Sequence, residues 1–469
     1  MLVRRGKLSR ILASVFIFAL LLSIGVAGFA ATKKTKVIIW GLNTTVPGGA
    51  QELAKQIKEK FSDIDLVPQV QVAGAGQTLE SMQKLLTAIA AGNPPEITTI
   101  DRFVVGGWAA RGALRPLDDL IERDKVDLSQ WYPVCLDEAK FNGKVYAMSS
   151  GTDDRAMYYN RELMREAGMN PDAPPKTWDE LMEAAKKLTV TDSRGNLKQI
   201  GFIPMFGNSW LYLYGWQNGG EFLSEDGKTA TLNDPKIVEA IEWIVSVYDA
   251  LGGAEKIQGF QASFQPGAQD PFLTGKVALM INGNWVLNNI ARYRPDIDFA
   301  VAPAPVPKKR YLQEGEFKGK PQFITWSGGW AWAIPRGVKN VDAAWKVIKF
   351  MTGVEGHLAI AKGDYEYNKS LGNPYVPGMT SLKPADKALA EKYLPLLQRE
   401  SLRKAYHVFS DLMKVSRYRP VTPVASELWT EHVRVVDLAI FHKMTPKEAA
   451  DFCNANVQKA LDTFWKSRK

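Results

Sequence analysis

The chain has 469 residues, with 59 lysines and arginines against 50 acids, a formal net charge of +9, two cysteines and 14 tryptophans. That length exceeds what one hydrophobic core usually serves and favours two lobes, and two cysteines cannot staple a fold of this size. Basic residues are interspersed with acids and form no block longer than Lys308-Lys309-Arg310, so a nucleic-acid footprint is not indicated.

At the amino terminus Arg4, Arg5, Lys7 and Arg10 precede an uncharged apolar run from Ile11 to Ala30 that ends in small residues, the layout of a secretory signal. Cleavage after Ala30 leaves Gly28 and Ala30 at the two positions that favour small side chains, although the run is also just long enough to span a bilayer uncleaved. A lipid anchor needs a cysteine at the cleavage point, and the cysteines are Cys135 and Cys453, so a non-lipidated protein in the periplasm or at the extracytoplasmic face is expected. Arg4-Arg5 lacks the flanking residues of a twin-arginine signal. Residues 1–30 carry four positive and no negative charges, so their removal leaves +5 of the +9. No later apolar stretch approaches membrane-spanning length. The two cysteines are expected as buried free thiols, with pairing in an oxidising compartment the alternative.

Lys36-Val-Ile-Ile-Trp40 predicts a strand, Gln51 to Phe61 a helix, Ile64 to Val72 a strand, Leu79 to Ala91 a helix and Glu96 to Ile100 a third strand. Such alternation predicts a parallel sheet flanked by helices. Phe141-Asn-Gly-Lys-Val-Tyr146 is a hairpin signal, because Asn-Gly supplies the two positive φ angles of a type I′ turn. Thr177-Trp-Asp-Glu180 and Thr445-Pro-Lys-Glu448 are capping boxes, and Asp234-Pro235 places proline at a first helical position. Val277 to Ile281, Asp296 to Pro305 and Trp330 to Pro335 read as strands, an Asn340-capped helix follows to about Met351, and Pro384 to Trp465 reads as helical throughout.

The tryptophans divide by setting. Trp243, Trp345 and Trp465 sit on helical apolar stripes, and Trp178 and Trp131 beside helix starts or prolines, so packing is expected of all five. Trp40 ends a strand, Trp108 follows Gly106-Gly107, Trp210 follows Gly207-Asn-Ser209, Trp216 adjoins Gly215, Trp285 follows Asn282-Gly-Asn284, and Trp326 and Trp330 bracket Ser327-Gly-Gly329. Loops at the carboxyl ends of strands line the crevice of an α/β sheet. A flat indole there can cover the apolar C–H face of a pyranose while planar Asp, Asn and Arg groups meet its hydroxyl rim. Asp101-Arg102 after the third strand and Asp153-Asp154-Arg155 after Gly151 are candidate polar partners, each also readable as a surface ion pair.

Other chemistries lack their residues. His357, His407, His432 and His442 form no pair at helix spacing and no cluster with cysteine, so no metal site is expected. No Gly-x-Ser-x-Gly elbow and no P-loop occurs, and no catalytic residue or cofactor is assigned. Asp192-Ser-Arg-Gly-Asn196 lacks the terminal glutamate of a calcium loop and reads as a turn.

Val145-Tyr-Ala-Met148, Tyr158-Tyr-Asn-Arg-Glu-Leu163, Pro174-Pro-Lys-Thr-Trp-Asp-Glu-Leu181 and Thr274-Gly-Lys-Val-Ala-Leu-Met-Ile-Asn-Gly-Asn-Trp285 resemble, in this order, segments of the family 1 extracellular solute-binding proteins, the sugar-binding subunits of ABC importers. Phe299-Ala-Val-Ala-Pro-Ala-Pro305, Gly328-Gly329 and Thr445-Pro-Lys-Glu-Ala449 extend the resemblance. It implies an α/β, two-lobed periplasmic-binding-protein fold with hinge-linked lobes and a helix-rich C-terminal part. Residues 31–152 plus 301–351 are then expected in one lobe and 153–300 plus 352–469 in the other, with crossings near Gly151 to Asp154, Phe299 to Ala302 and Phe350 to Val354.

By the resemblance, Asp101 and Arg102 match an acid and a base that hydrogen-bond sugar hydroxyls, Asp153 a hinge-side acid, Trp285 a stacking ring, and Trp210 loosely a second platform. Trp40, Trp108, Trp326 and Trp330 rest on their strand-end and glycine-turn settings alone. The loop Lys308 to Gln322 and the stretch Ser416 to Trp429 depart from the pattern of the family's maltose-binding members, which argues against maltose itself as the ligand. The expected function is capture of a carbohydrate by a monomer that delivers it to the membrane subunits of an ABC importer. A glycerol phosphodiester or polyol, with Arg417 and Arg419 available for phosphate, is one alternative. A secreted glycoside hydrolase, needing a carboxylate pair about 5 to 9.5 Å apart, is the other.

Overall fold

The structure is a computed structural model describing residues 34–70 and 79–467, so the expected signal in residues 1–30 lies outside the described residues. Alternating burial along Lys36 to Trp40 makes β1 (Thr35–Trp40), which pairs in parallel with β2 (Ile64–Gln69) and β3 (Ile97–Asp101). The helices Gly49–Lys60 and Leu79–Ala90 connect these strands. The hairpin β4 (Lys140–Phe141) and β5 (Lys144–Val145) turns at Asn142 and Gly143, with φ of 47° and 76°, the positive pair that Asn-Gly supplies. There follow β6 (Ala147–Ser149), β7 (Arg155–Asn160) and the small hairpin of β8 (Val190–Thr191) and β9 (Leu197–Gln199), closed by a turn in which the Asp192 carboxylate accepts from the Arg194 and Asn196 amides. Then come β10 (Leu279–Gly283), β11 (Phe299–Pro303), β12 (Thr325–Trp326), β13 (Trp330–Ala333) and β14 (Ser416–Arg417).

The first sheet has the order β2-β1-β3-β13-β6 and the second the order β10-β7-β11. The first is parallel over β2, β1 and β3 as expected, but β13 runs antiparallel to both β3 and β6. In the second, β7 is antiparallel to both neighbours, and its six residues are all buried. A third, two-stranded pairing of β12 with β14 brings residues 325–326 beside 416–417.

Each sheet has its own core. Val37, Ile39, Leu53, Ile57, Leu66, Trp345 and Ile348 pack on the first sheet, and Met157, Tyr158, Leu181, Ile241, Ile281 and Phe299 on the second. Among tryptophans expected in cores, Trp345 is fully buried, Trp178 stacks on Trp243 at 4.5 Å, and Trp465 is half-buried. Both capping boxes form, at Thr177 and Thr445, each contributing about 1 kcal/mol to its helix. Asp234 caps Pro235–Ala250 as expected. Asn340 stands at the start of Val341–Met351 without a side-chain cap; its amide donates to the Lys36 carbonyl, tying that helix to β1.

The chain passes from the first sheet to the second between β6 and β7, within the expected Gly151 to Asp154 crossing. It returns between β12 and β13, at Ser327-Gly328-Gly329; Phe299 to Ala302 lies inside the second sheet, because β11 is paired along its length with β7. At Phe350 to Val354 the chain stays with the first sheet. Phe350 belongs to that core, and the next helix, Val354–Ser370, packs on Gly49–Lys60. That helix therefore sits with first-lobe elements, whereas residues 352–469 were expected together in the second lobe. The tight meeting of helices has a visible cause at Gly363, where a Cβ would stand 2.6 Å from the Gly48 carbonyl oxygen. From Pro384 to Trp465 the chain is mostly helical as expected, broken by short loops at 397–399 and 441–445 and by the extended stretch from Ser416 to about Val424, which carries β14. Cys135 and Cys453 are buried and unpaired. No helix among the described residues is long and apolar enough to cross a membrane.

Candidate functional site

A cleft of about 840 Å³ opens where the two sheets meet. Its back wall is the pair of junction segments. The Asp153 amide donates to the Gly328 carbonyl at 3.3 Å, and the Gly328 amide donates to Asp153 Oδ1 at 2.7 Å. Gly329 has φ of 138°, and a Cβ there would meet the Gly151 carbonyl oxygen at 2.3 Å, so the junction closes only around glycine.

Two tryptophans line this cleft with much of their surface in solvent. Trp285 is 39% exposed and follows β10 of the second sheet, while Trp330 is 41% exposed and opens β13 of the first. Trp285 folds back over Gly283, where any Cβ would collide with its ring at 1.9 Å. Trp210 and Trp429 meet edge to face at 5.2 Å and complete the aromatic wall. Beneath them His432 is fully buried, stacked on Tyr212 at 4.3 Å. Its Nδ1 lies 2.8 Å from the Trp429 carbonyl, and burial depresses its pKa to about 3. That imidazole is neutral at physiological pH.

Polar groups of the lining come as pairs. Arg155 lies over the buried face of Trp326 at 3.6 Å, with Trp285 5.2 Å away on another side. It is ion-paired with Asp153 and donates to Asn208 Oδ1 at 2.8 Å. Burial lowers its pKa, with Asp153 opposing. Arg419, also buried, grips Asp101 through Nη2 to Oδ1 at 2.6 Å. Burial works against its charge, but Asp101 and Glu138 outweigh that and hold its pKa above the ordinary arginine value. Farther along, Glu431 bonds Arg434 at 2.9 Å and Asn456 at 3.2 Å, while Glu427 faces Arg111 at 3.4 Å. The second Glu427 oxygen is enclosed without a protein partner among the described residues.

Of the residues singled out from sequence, Asp101, Asp153, Arg155, Trp210, Trp285, Trp326 and Trp330 line this one cleft. Three do not. Trp108 is buried in the core beneath the first sheet, on the helix Arg102–Ala110. Trp40 is half-buried beside the same core and donates through Nε1 to Gln69 Oε1 at 2.8 Å. Arg102, expected to reach a ligand hydroxyl, is completely enclosed. Its guanidinium donates to Glu138 at 2.9 Å, to Ser149 Oγ and the Gly151 carbonyl at 3.0 Å each, and to Ser327 Oγ at 2.8 Å. Trp216 is likewise core, stacked on Tyr212 at 5.3 Å. Asn208, Glu427, Trp429, Glu431 and Asn456 were missed. Asn208 had a signal in its glycine turn; the others sit on helices whose cleft-facing side only the tertiary fold defines.

The model of the bacterial extracellular solute-binding protein family matches residues 43–357, about two thirds of the chain. The chain belongs to this family. Among its relatives, a maltotriose-binding protein of Pyrococcus abyssi is 26% identical over 324 residues, 68% of this chain and 62% of the relative. An sn-glycerol-3-phosphate-binding periplasmic protein of Brucella abortus is 27% identical over 301 residues, 60% of this chain and 64% of the relative. A solved structure of CpMnBP1 with mannobiose bound superposes with a TM-score of 0.72 at 26% identity, covering 90% of this chain and 100% of the other. These similarities show the two-lobed α/β binding-protein fold, and family membership makes the chain an extracytoplasmic solute-binding protein.

Proposed function

We propose that this solute-binding protein captures a neutral carbohydrate, an oligosaccharide in preference to a single sugar, and delivers it to the membrane components of an ABC importer. The observation that carries this reading is the placement of Trp285 and Trp330, the two tryptophans most open to solvent, on different lobes of one cleft. Rotation of the lobes brings two apolar platforms onto one ligand, and closure is favoured only by contacts made in the closed state. Rings cover C–H faces; Asp101, Asp153, Asn208 and Asn456 offer acceptors and donors to hydroxyls. The cleft volume is in the range of pockets that enclose a ligand of several rings. The binding of maltotriose and mannobiose by the proteins named above supports the same class.

Charge pairing favours this ligand over a glycerol phosphodiester. Both arginines of the lining are held by carboxylates, Arg155 by Asp153 and Arg419 by Asp101 and Glu138, and Arg417 is paired with Glu221 outside this cleft. A phosphate would need those cations for itself. A hydrolase is disfavoured for a related reason: the lining carboxylates Asp101, Asp153, Glu427 and Glu431 are each ion-paired with an arginine, so no two of them stand free on either side of a bond to be cleaved. We further read the protein as a monomer exported by a signal in residues 1–30 and not lipidated, since no cysteine adjoins Ala30.

Thermal unfolding against a panel of mono- and oligosaccharides, with glycerol phosphodiesters and inorganic phosphate beside them, tests this. A ligand that binds only the folded state raises the melting temperature. Upward shifts with oligosaccharides are expected. Shifts with phosphate esters alone, or none with any sugar, would overturn the carbohydrate reading.

A further inference from the structure

Behind the cleft lies a buried chain of charges that surfaces in its wall only at Arg419 and Asp101. Arg102 Nε donates to Glu138 Oε2 at 2.9 Å, Glu138 Oε1 accepts from Arg419 Nε at 2.9 Å, and Arg419 Nη2 donates to Asp101 Oδ1 at 2.6 Å. Arg102 and Glu138 have no solvent exposure at all. The Asp101 carboxylate at the far end lines the cleft and also caps the helix Arg102–Ala110 through the Phe103 amide.

The near end of that chain is the junction between lobes. One guanidinium, that of Arg102, bonds Ser149 and Gly151 on the outgoing crossing, and Ser327 and the Gly328 carbonyl on the returning one. It also reaches Ser381 at 3.4 Å, in a segment that runs from the second core at Met379 to the first at Leu382. Three separate passages between the lobes therefore converge on a single side chain. A well-packed apolar cluster of similar volume would often be as stable as a buried ion network. What the charges add is fixed direction: each bond has one geometry, and the hydroxyls of Ser149, Thr152, Ser327 and Ser381 are already bonded among themselves.

We propose that Arg102 and Glu138 are positioning residues that make the lobe junction and the cleft carboxylate Asp101 one mechanical unit. Any rotation at the crossings moves Arg102, and the movement reaches the neighbouring Asp101 through the peptide bond they share and its carboxylate through Glu138 and Arg419, which close the ring. Such residues set the population of the binding-competent arrangement. A shift in that population rescales the affinity for every ligand by one common factor, whereas loss of a direct contact changes different ligands by different factors.

The test compares Glu138→Gln and Ser327→Ala with Asp101→Asn, by calorimetry against several sugars and by solution scattering without ligand. Glu138→Gln is expected to weaken all sugars by the same factor, about tenfold or more as for typical coupled sites, and to enlarge the radius of gyration of the ligand-free protein. Ser327→Ala keeps the ion chain, removes the hydroxyl that bonds Arg102 and Thr152 at the junction, and is expected to act in the same direction with a smaller common factor. Asp101→Asn should change sugars unequally. Wild-type affinities and scattering in folded Glu138→Gln and Ser327→Ala overturn the proposal, as does a sugar-by-sugar pattern of loss with unchanged scattering. Should Glu138→Gln fail to fold, Ser327→Ala carries the test. The ligand arm rests on the carbohydrate reading: a wild-type protein that binds no sugar refutes that reading, and the ligand-free scattering still decides this one.

Discussion

The two carboxylate–arginine pairs that line the cleft are built in opposite ways. Asp153 and Arg155 are two residues apart on one strand entry, and their pair is stacked against Trp326 and braced by Asn208. Asp101 and Arg419 are 318 residues apart, and their pair continues inward through Glu138 to Arg102. Both pairs are mostly enclosed, with Asp153 20% and Asp101 17% exposed, but the first is local. The second anchors a dry network. Similar chemistry facing the ligand thus rests on different foundations, and removing one partner should have different costs.

The sharpest break in the comparison is Arg419→Ala. It leaves Glu138 short of one cation and Asp101 without its grip, and breaking a buried pair from one side typically costs about 3–5 kcal/mol. Denaturant unfolding should show a lower midpoint with an unchanged slope. A loss under 1 kcal/mol would mean that the inner network relaxes easily and that the contrast between the pairs is only apparent.

Acidity probes the same wall from its aromatic side. His432 has a folded-state pKa of about 3 against an ordinary value of 6.5, because burial disfavours its cation. A depressed pKa means that the unfolded chain binds the proton more readily, so the contribution of neutral His432 is full above pH 6.5 and is lost as pH falls toward 3. Between pH 6.5 and 4.5 that amounts to about 2–3 kcal/mol, at 1.36 kcal/mol per pH unit. Unfolding of the wild type should weaken over that interval, and His432→Gln should flatten the dependence. A wild-type curve matching that of His432→Gln would show that the imidazole already carries its proton.

The tryptophans separate contact from packing. Trp285→Ala should weaken sugar binding by about 1–3 kcal/mol, the value of a lost apolar platform, and leave stability nearly unchanged because the ring is exposed. Trp108→Ala should do the reverse, costing about 3–5 kcal/mol of stability as a core cavity. Calorimetry and unfolding on the two variants read this crossing pattern directly. Equal affinities in wild type and Trp285→Ala would take Trp285 out of the site.

Legibility in the sequence followed the range of the interaction. Thr177 with Glu180, Thr445 with Glu448, and Asn142 with Gly143 specify structure within four residues, and each formed as read. Trp285 and Trp330 were found because glycine turns mark strand ends. Trp108 follows glycines too, yet those glycines lie inside a helix; at Gly106 a Cβ would meet Val421 at 2.8 Å, so the small residues admit a neighbouring segment rather than form a turn. Arg102 was misplaced because its five donors are claimed by residues 36 to 279 positions away, which no local pattern encodes. Val354–Ser370 was placed with the wrong neighbours for the same reason: its packing partner lies some 300 residues earlier.

The smallest effect is expected from the local pair itself, in Asp153→Asn. The side-chain oxygen that accepts from the Gly328 amide survives the change, and only the ion pair with Arg155 is lost. Arg155 keeps Asn208 and its stacking on Trp326, and the amide oxygen at position 153 can still accept from its Nη1, so the buried guanidinium is not left without partners. Exchanging a charged acceptor for a neutral one in hydrogen bonds that survive costs about 1 kcal/mol, the difference between charge-assisted and neutral bonds. Stability should therefore fall by no more than that, while affinities change by factors that differ from sugar to sugar, because the altered group faces hydroxyls directly. A loss as large as that of Arg419→Ala would show that the junction depends equally on both pairs, and that the Asp153 bond across to Gly328 belongs to the same rigid unit as Arg102.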